Sequence, residues 1–282
     1  MSGPLQEACQ VLDRRRAGAY QLLTLVGPEI ARSARPGQFV ELLAGPGVLL
    51  RRPFSLHRVE RPGRGLGAIE VAFDVVGPGT AALAALRPHD LVDVLGPLGR
   101  PFQPPPEPRP CLLVGGGYGT APLFFLAEEL RTRRCRVDFL VGAASAARLF
   151  QPVEARRLGH SLTVTTDDGS GGHRGLVTDP LPELLARQRS AQVYACGPMP
   201  MLAAVARAAA AAGLPCQVAV EEQMACGTGM CWSCVVPVAA GAGQPSRLAR
   251  SCVEGPVLDA AAVAWAELGH GAPDADLQEL AP

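Results

Sequence analysis

Apolar and polar positions alternate with a period of two along four short stretches in the first third of the chain: Tyr20 to Leu25, Gln38 to Leu42, Ile69 to Phe73 and Leu91 to Leu95. Successive side chains on a strand point to opposite faces, so each stretch reads as a half-buried strand, and Gly and Pro turns between them predict an antiparallel barrel or sandwich. A short helix is expected from Ala81 to Leu86. The pattern breaks at Pro104-Pro105-Pro106-Glu107-Pro108-Arg109-Pro110, a run that neither pairs in a sheet nor continues a helix, and we place a domain boundary there. Next comes an apolar strand, Cys111 to Val114, that ends in Gly115-Gly116-Gly117; a helix from Ala121 to Arg134 and a strand from Arg136 to Gly142 complete a βαβ unit. Strands at Ser161 to Thr166 and Gln192 to Cys196, with an alanine-rich helix from Met199 to Ala212, extend it into an open parallel sheet. The expected organisation is β plus α/β multidomain: a barrel over 1–103, an α/β unit over 104–213, a small third unit over 214–265, and a flexible tail over 266–282.

Composition narrows the class. The chain has 282 residues, 48% of them hydrophobic, with a mean hydropathy of +0.17, enough to bury ordinary cores. All 26 basic residues are arginines, they are balanced by 26 acidic ones, and they are scattered rather than gathered into a patch, which argues against a nucleic-acid partner. The N-terminus has no basic region followed by an apolar core, and no apolar run is long enough to span a bilayer. A soluble, cytoplasmic protein with no membrane partner is expected. Nine cysteines in a chain of this length suit a reducing compartment, and Cys9, Cys111, Cys135 and Cys216 read as small buried hydrophobes.

The remaining cysteines carry chemistry. Cys226-x4-Cys231-x2-Cys234, with Cys252 downstream, has the ligand spacing of a plant-type 2Fe-2S cluster. Gly227 and Gly229 suit a loop folded tightly with its amides turned inward, where they tune the potential. Zinc is the rival, but its sites usually bring paired CxxC units or histidines at typical spacing; unliganded cysteines are the other alternative. Gly115-Gly116-Gly117 stands where a strand feeds a helix, a position suited to a pyrophosphate, and equally to a purely structural turn. Cys196-Gly197-Pro198-Met199 closes another strand at the edge where open sheets bind ligands, although a buried cysteine at a turn has the same signature. In the barrel, Arg52-Pro53-Phe54-Ser55 joins a guanidinium fork to a hydroxyl, and Gly77-Pro78-Gly79-Thr80 precedes a helix, so both suit phosphate oxygens, while N-capping alone would also explain Thr80. A nicotinamide exchanges hydride and a cluster exchanges single electrons, so a chain holding both needs a flavin between them, placed in the barrel.

The order Arg52-Pro-Phe-Ser, Gly77-Pro-Gly-Thr, Gly115-Gly-Gly, Cys196-Gly-Pro and the four cysteines resembles the ferredoxin–NADP reductase superfamily over nearly the whole chain. Within it the chain is most similar to the electron-transfer subunits of class 1B dihydroorotate dehydrogenase. The resemblance implies that FAD contacts Arg52, Pro53, Phe54, Ser55, Ala72, Phe73, Asp74, Gly79 and Thr80. It implies that the NAD site is lined by Gly115, Gly116, Gly117, Cys196, Gly197, Pro198 and Met199, and that Cys226, Cys231, Cys234 and Cys252 hold the cluster. It further implies an FMN-containing catalytic subunit as partner, in a heterotetramer of two plus two, with electrons passing through the cluster and FAD to NAD+ in pyrimidine biosynthesis. No catalytic residue beyond the cofactors is expected. Related reductase subunits serving ferredoxin, sulfide or a hydrogenase, and a non-enzymatic regulatory cluster module, are the alternatives. Asp74 falls where relatives often carry a basic residue, and Tyr118-Gly119-Thr120 replaces commoner small apolar residues. Trp232, Met224 and Met230 suit either a docking face or packing around the cluster. Arg148, after the second strand of the sheet, suits either contact with a 2′-phosphate or a solvated surface position, and Asp167 and Asp168 suit either a polar loop or the rim of the nucleotide site.

Overall fold

The computed structural model describes residues 3–43, 45, 48–187, 192–241 and 244–269. Six strands, β1 (Leu5–Ala17), β2 (Tyr20–Val26), β3 (Phe39–Leu43), β4 (Arg52–Glu60), β5 (Ala68–Phe73) and β6 (Leu91–Leu98), close into an antiparallel barrel in the order β1-β2-β5-β4-β3-β6. The period-two pattern explains the closure. In β6 Val92, Val94 and Leu98 are buried while Leu91, Asp93 and Leu95 face outward or sit half-buried. β5 is buried along its whole length because its two faces serve two cores: Ile69, Val71 and Phe73 fill the barrel, and Ala72 packs with residues of the following unit. Two helices decorate the barrel, α1 (Pro28–Ser33) and α2 (Pro78–Ala85). The second begins three residues before the expected Ala81, because Pro78 is tolerated in a first turn that has no use for its missing amide.

The second unit is a seven-stranded sheet with five parallel strands from the middle of the chain: β7 (Cys111–Gly116), β8 (Val137–Ala143), β9 (Ser161–Thr166), β10 (His173–Arg174) and β11 (Gln192–Cys196). Its helices are α3 (Ala121–Thr132), α4 (Pro152–Leu158), α5 (Leu181–Arg187) and α6 (Met199–Ala211). α3 is buried along most of its length, with Leu123, Phe124, Leu126 and Leu130 under the sheet, whereas α6 uses alanines to approach it closely.

The sheet continues beyond residue 213. β12 (Cys216–Ala219) pairs in parallel with β11, and β15 (Val257–Asp259) pairs antiparallel with β12; between them β13 (Val235–Val238) and β14 (Arg247–Arg250) form a separate ribbon. The full order is β10-β9-β8-β7-β11-β12-β15. The chain leaves β7 toward β8 and returns on its other side as β11, so a topological switch point lies between β7 and β11, where open sheets bind ligands. The flexible tail expected over 266–282 lies outside the described residues from 270 onward, while Trp265–Leu268 form a 3-10 turn. Among the described residues, no helix is long and apolar enough to cross a membrane.

Candidate functional site

Two clefts meet at the switch point. The first, about 290 Å³, lies between barrel and sheet and is lined by Arg52, Pro53, Phe54, Ser55, Ala72, Phe73, Asp74 and Thr80, which are eight of the nine residues implied for FAD. Its floor follows from register: β3 pairs with β4 so that Phe39 stands opposite Ser55 and Glu41 opposite Pro53, which holds the Arg52–Ser55 run extended along one wall. The ninth residue, Gly79, approaches Arg52 so closely that a Cβ there would lie 2.9 Å from Nε. The two phosphate-ready runs of the barrel are therefore neighbours, and the guanidinium lies over the first turn of α2. Thr80 Oγ1 accepts from the amides of Val76 (2.9 Å) and Gly77 (3.1 Å) and donates to the Gly77 carbonyl, so its hydroxyl is spent on shaping the turn. This elongated groove, with an arginine and a helix start at one end and aromatic rings of Phe54 and Phe73 inside, fits a flavin dinucleotide.

The second cleft, about 600 Å³, opens at the carboxyl ends of β7, β8 and β11 and is lined by Gly116, Gly117, Ala143, Asp167, Thr178 and Pro198, among others. Gly117 has φ +55 and almost open space beside it, the backbone a tight turn needs when a ligand must come close. Gly115, Cys196 and Gly197 support the turns without lining the cleft: Gly115 leaves room for Thr120, and Cys196 is fully buried, which pushes its thiol well above the ordinary range. Met199 packs against the α6 core instead. The cleft shape, with a glycine turn at a strand end, fits a dinucleotide.

Tyr118, Gly119 and Glu221 line both clefts, so only one layer of residues separates them. Sequence reasoning gave Glu221 no role. Its signal was the pair Glu221-Glu222 directly ahead of the cysteine run, and its position follows from β12, which ends at the same sheet edge as β7 and β11.

The third element is the cysteine loop. Cys226 lies beside Cys231 and Cys234 beside Cys252, so the four thiols fall into two neighbouring pairs. Burial acts to raise the Cys226 thiol, but hydrogen bonds from the amides of Cys231 and Thr228 outweigh it and bring it down to about 6. The Ser233 side chain and amide likewise lower Cys231. Burial and its neighbour Cys234 push Cys252 up to about 12. Two pairs of thiols and inward amides match a two-iron cluster, two thiolates per iron.

Cys234 and Cys252 pack with Phe39 and Leu98 of the barrel, and Phe39 and Met224 also line the first cleft. The cysteine loop is thus seated on the wall of the flavin-shaped groove. Of the three residues weighed for docking, Met224 turns inward to this contact, whereas Met230 (83% exposed) and Trp232 (53% exposed) face out, the latter stacked under Arg250 at 4.7 Å. Arg148 and Asp167 line the second cleft, while Asp168 is tied into its own loop by Ser170.

Comparison with known proteins agrees with this geometry. Residues 221–264 match the family model of the iron-sulfur cluster binding domain of dihydroorotate dehydrogenase B. Proteins named dihydroorotate dehydrogenase B (NAD(+)), electron transfer subunit, are similar over most of the chain: one from Desulforamulus reducens is 39% identical over 84% of this chain and 90% of its own length. One from Geobacillus kaustophilus is 39% identical over 86% and 91%. Among solved structures, one titled as an NADH-dependent reduced ferredoxin-NADP oxidoreductase that performs flavin-based electron bifurcation superimposes with a TM-score of 0.80 at 30% identity, covering 93% of this chain and 91% of that one. The ferredoxin reductase of a carbazole 1,9a-dioxygenase, at 20% identity and a TM-score of 0.65 over 75% and 67%, shares the fold.

Proposed function

We infer the work of this chain from the premise that it belongs to the family of electron transfer subunits of dihydroorotate dehydrogenase B (NAD(+)). It is an oxidoreductase subunit that carries a 2Fe-2S cluster and FAD, uses NAD+ as acceptor, and acts with a catalytic partner subunit. When bound, the cluster exchanges single electrons and the flavin converts them to the hydride that NAD+ accepts. The observation that carries this reading is the shared wall: the cysteine loop touches the first cleft through Phe39 and Met224, and the first cleft meets the second across Tyr118, Gly119 and Glu221.

For this chain's own residues the assignments are as follows. Cys226, Cys231, Cys234 and Cys252 hold the cluster. Arg52 and the first turn of α2 at Gly79 and Thr80 take the flavin phosphates, Pro53, Phe54 and Ser55 run beside the ring system with Ala72 and Phe73, and Asp74 closes the groove. Gly115, Gly116 and Gly117, with Cys196, Gly197 and Pro198, shape the dinucleotide turns, and Met199 anchors the start of α6 behind them. The working units are 1–103, 104–213 and 214–265, the last sewn to the second by β12 and β15. Met230 and Trp232 present an apolar face beside the cluster loop to the catalytic subunit, an FMN protein, in a two-plus-two assembly in the cytoplasm. The superposition with the bifurcating oxidoreductase favours a second reading, in which the electron donor is ferredoxin.

Anaerobically purified protein decides between them. NADH-driven dye reduction is expected in either case; dihydroorotate-dependent formation of NADH, only when the FMN subunit is added, supports the first reading. Coupling to reduced ferredoxin, and never to dihydroorotate, replaces it with the second.

A further inference from the structure

Arg148 follows β8, the second strand of the dinucleotide unit, where an arginine in such folds accommodates the 2′-phosphate of NADP. Its guanidinium is the single basic group lining the second cleft among the described residues. It is already engaged. Nη2 donates to Asp74 Oδ2 at 2.8 Å, the guanidinium lies over the Tyr20 ring at 5.0 Å, and the Tyr20 hydroxyl donates to the Arg148 carbonyl at 2.9 Å. Asp74 is fixed in turn, since its other oxygen accepts from the Val75 amide at 2.8 Å. Both Tyr20 and Asp74 belong to the barrel, so the arginine of one unit is held from the other.

The remaining charged groups lining the cleft are Asp167 and Glu221, both acidic. A ribose with free 2′ and 3′ hydroxyls suits such a rim because a carboxylate accepts from a diol. A 2′-phosphate does not. To be bound it would have to draw Arg148 away, leaving the Asp74 carboxylate, which is about one-fifth exposed, unpaired beside a new dianion. The ion pair is partly open to solvent, mainly on the Arg148 side, and modest in itself; selection arises because the phosphate loses its cation and gains a repelling neighbour together.

We propose that Asp74 is a specificity-determining residue, which excludes 2′-phosphorylated dinucleotides by holding Arg148 on the barrel side of the cleft. The proposal rests on the second cleft being the NAD site.

The test compares wild-type protein, Asp74→Asn, Asp74→Ser and the double variant Asp74→Asn/Arg148→Leu, as full chains with their flavin content recorded. Calorimetric affinity for 2′,5′-ADP against 5′-AMP is measured alongside NADPH- and NADH-driven dye reduction. Freed from Asp74, Arg148 gains a charge-assisted bond, so the 2′,5′-ADP preference is expected to rise about tenfold in both single variants and to fall back in the double one. The calorimetric readout does not need the flavin, so it remains informative if either single variant binds FAD poorly. An unchanged preference in both single variants with 5′-AMP binding intact, or an equal gain in the double variant, overturns this proposal alone. Failure of wild-type protein to bind either nucleotide or NADH overturns the assignment of the cleft as well.

Discussion

The imidazole Nδ1 of His57 donates to the carbonyl oxygen of Ala121 across 2.8 Å, joining the strand that carries the Arg52–Ser55 run to the first residue of α3, directly after the glycine turn. The ring is fully buried, edge-on to Phe124 and Phe150. One side chain thus sets the distance between the flavin-shaped groove and the dinucleotide turn.

Burial lowers the His57 pKa from 6.5 to about 4, so the fold favours the neutral ring. The contribution is fully present above about pH 6.5 and is lost as pH falls toward about 4, on the order of 3 kcal/mol across that window. Replacing His57 by Phe is expected to cost about 1–3 kcal/mol near neutral pH, through the lost hydrogen bond, and to flatten the acid limb of a stability profile. Thermal melts of wild-type and H57F protein at a series of pH values check both effects.

Glu41 has the opposite sign. Its carboxyl is fully buried beneath Gly227, both oxygens lack a hydrogen-bond partner among the described residues, and burial raises its pKa to about 7 despite the nearby Arg51. The fold favours its neutral form, so its contribution is present below about pH 4.5 and lost as pH rises to about 7. Glu41→Gln is expected to stabilise the protein at and above neutrality by about 1–3 kcal/mol and to leave the His57 slope exposed between about pH 4.5 and pH 6.5. The same melts on E41Q read this directly; a slope equal to that of wild type would count against it.

Gly119 and Gly197 bring two turns into backbone contact: a Cβ at Gly119 would lie 2.7 Å from Gly197 Cα. Backbone cannot yield as a side-chain tip can, so Gly119→Ala is expected to part the turns and weaken NADH binding about tenfold or more, while flavin content changes less. Nucleotide titration and the flavin absorbance of the purified variant separate the two effects.

Cluster ligands and core cysteines should part cleanly. Serine at Cys226, Cys231, Cys234 or Cys252 is expected to remove most of the iron and the visible cluster absorbance with the flavin retained. Serine at Cys9 or Cys135, both buried away from the loop, should leave iron content at the wild-type level. Iron and sulfide assays on the six variants decide.

Much of the architecture was legible because it is local. Strands β2, β3, β5 and β6 announce themselves by alternation, and α3 and α6 agree with expectation to within two residues at each end. Three of the four cysteines assigned to the cluster share one short loop, so their spacing is itself the geometry. β1 escaped notice because Cys9 and Val11 are its only fully buried side chains and the rest of its thirteen residues face outward or lie half-buried. α1, α4 and α5 are too short to establish a period.

What the sequence determined by itself is the set of parts: a barrel, a glycine turn on a parallel sheet, and a cysteine loop, each encoded by neighbours along the chain. Only the tertiary structure decided how they face one another. Phe39 meets Cys234 and Cys252, Arg148 meets Asp74, His57 meets Ala121, and Glu221 enters the wall between the clefts because β12 ends beside β11. Hydrophobic periodicity reports which face of an element is buried; it carries no information about which charged or polar group, many residues away, the folded sheet brings against it.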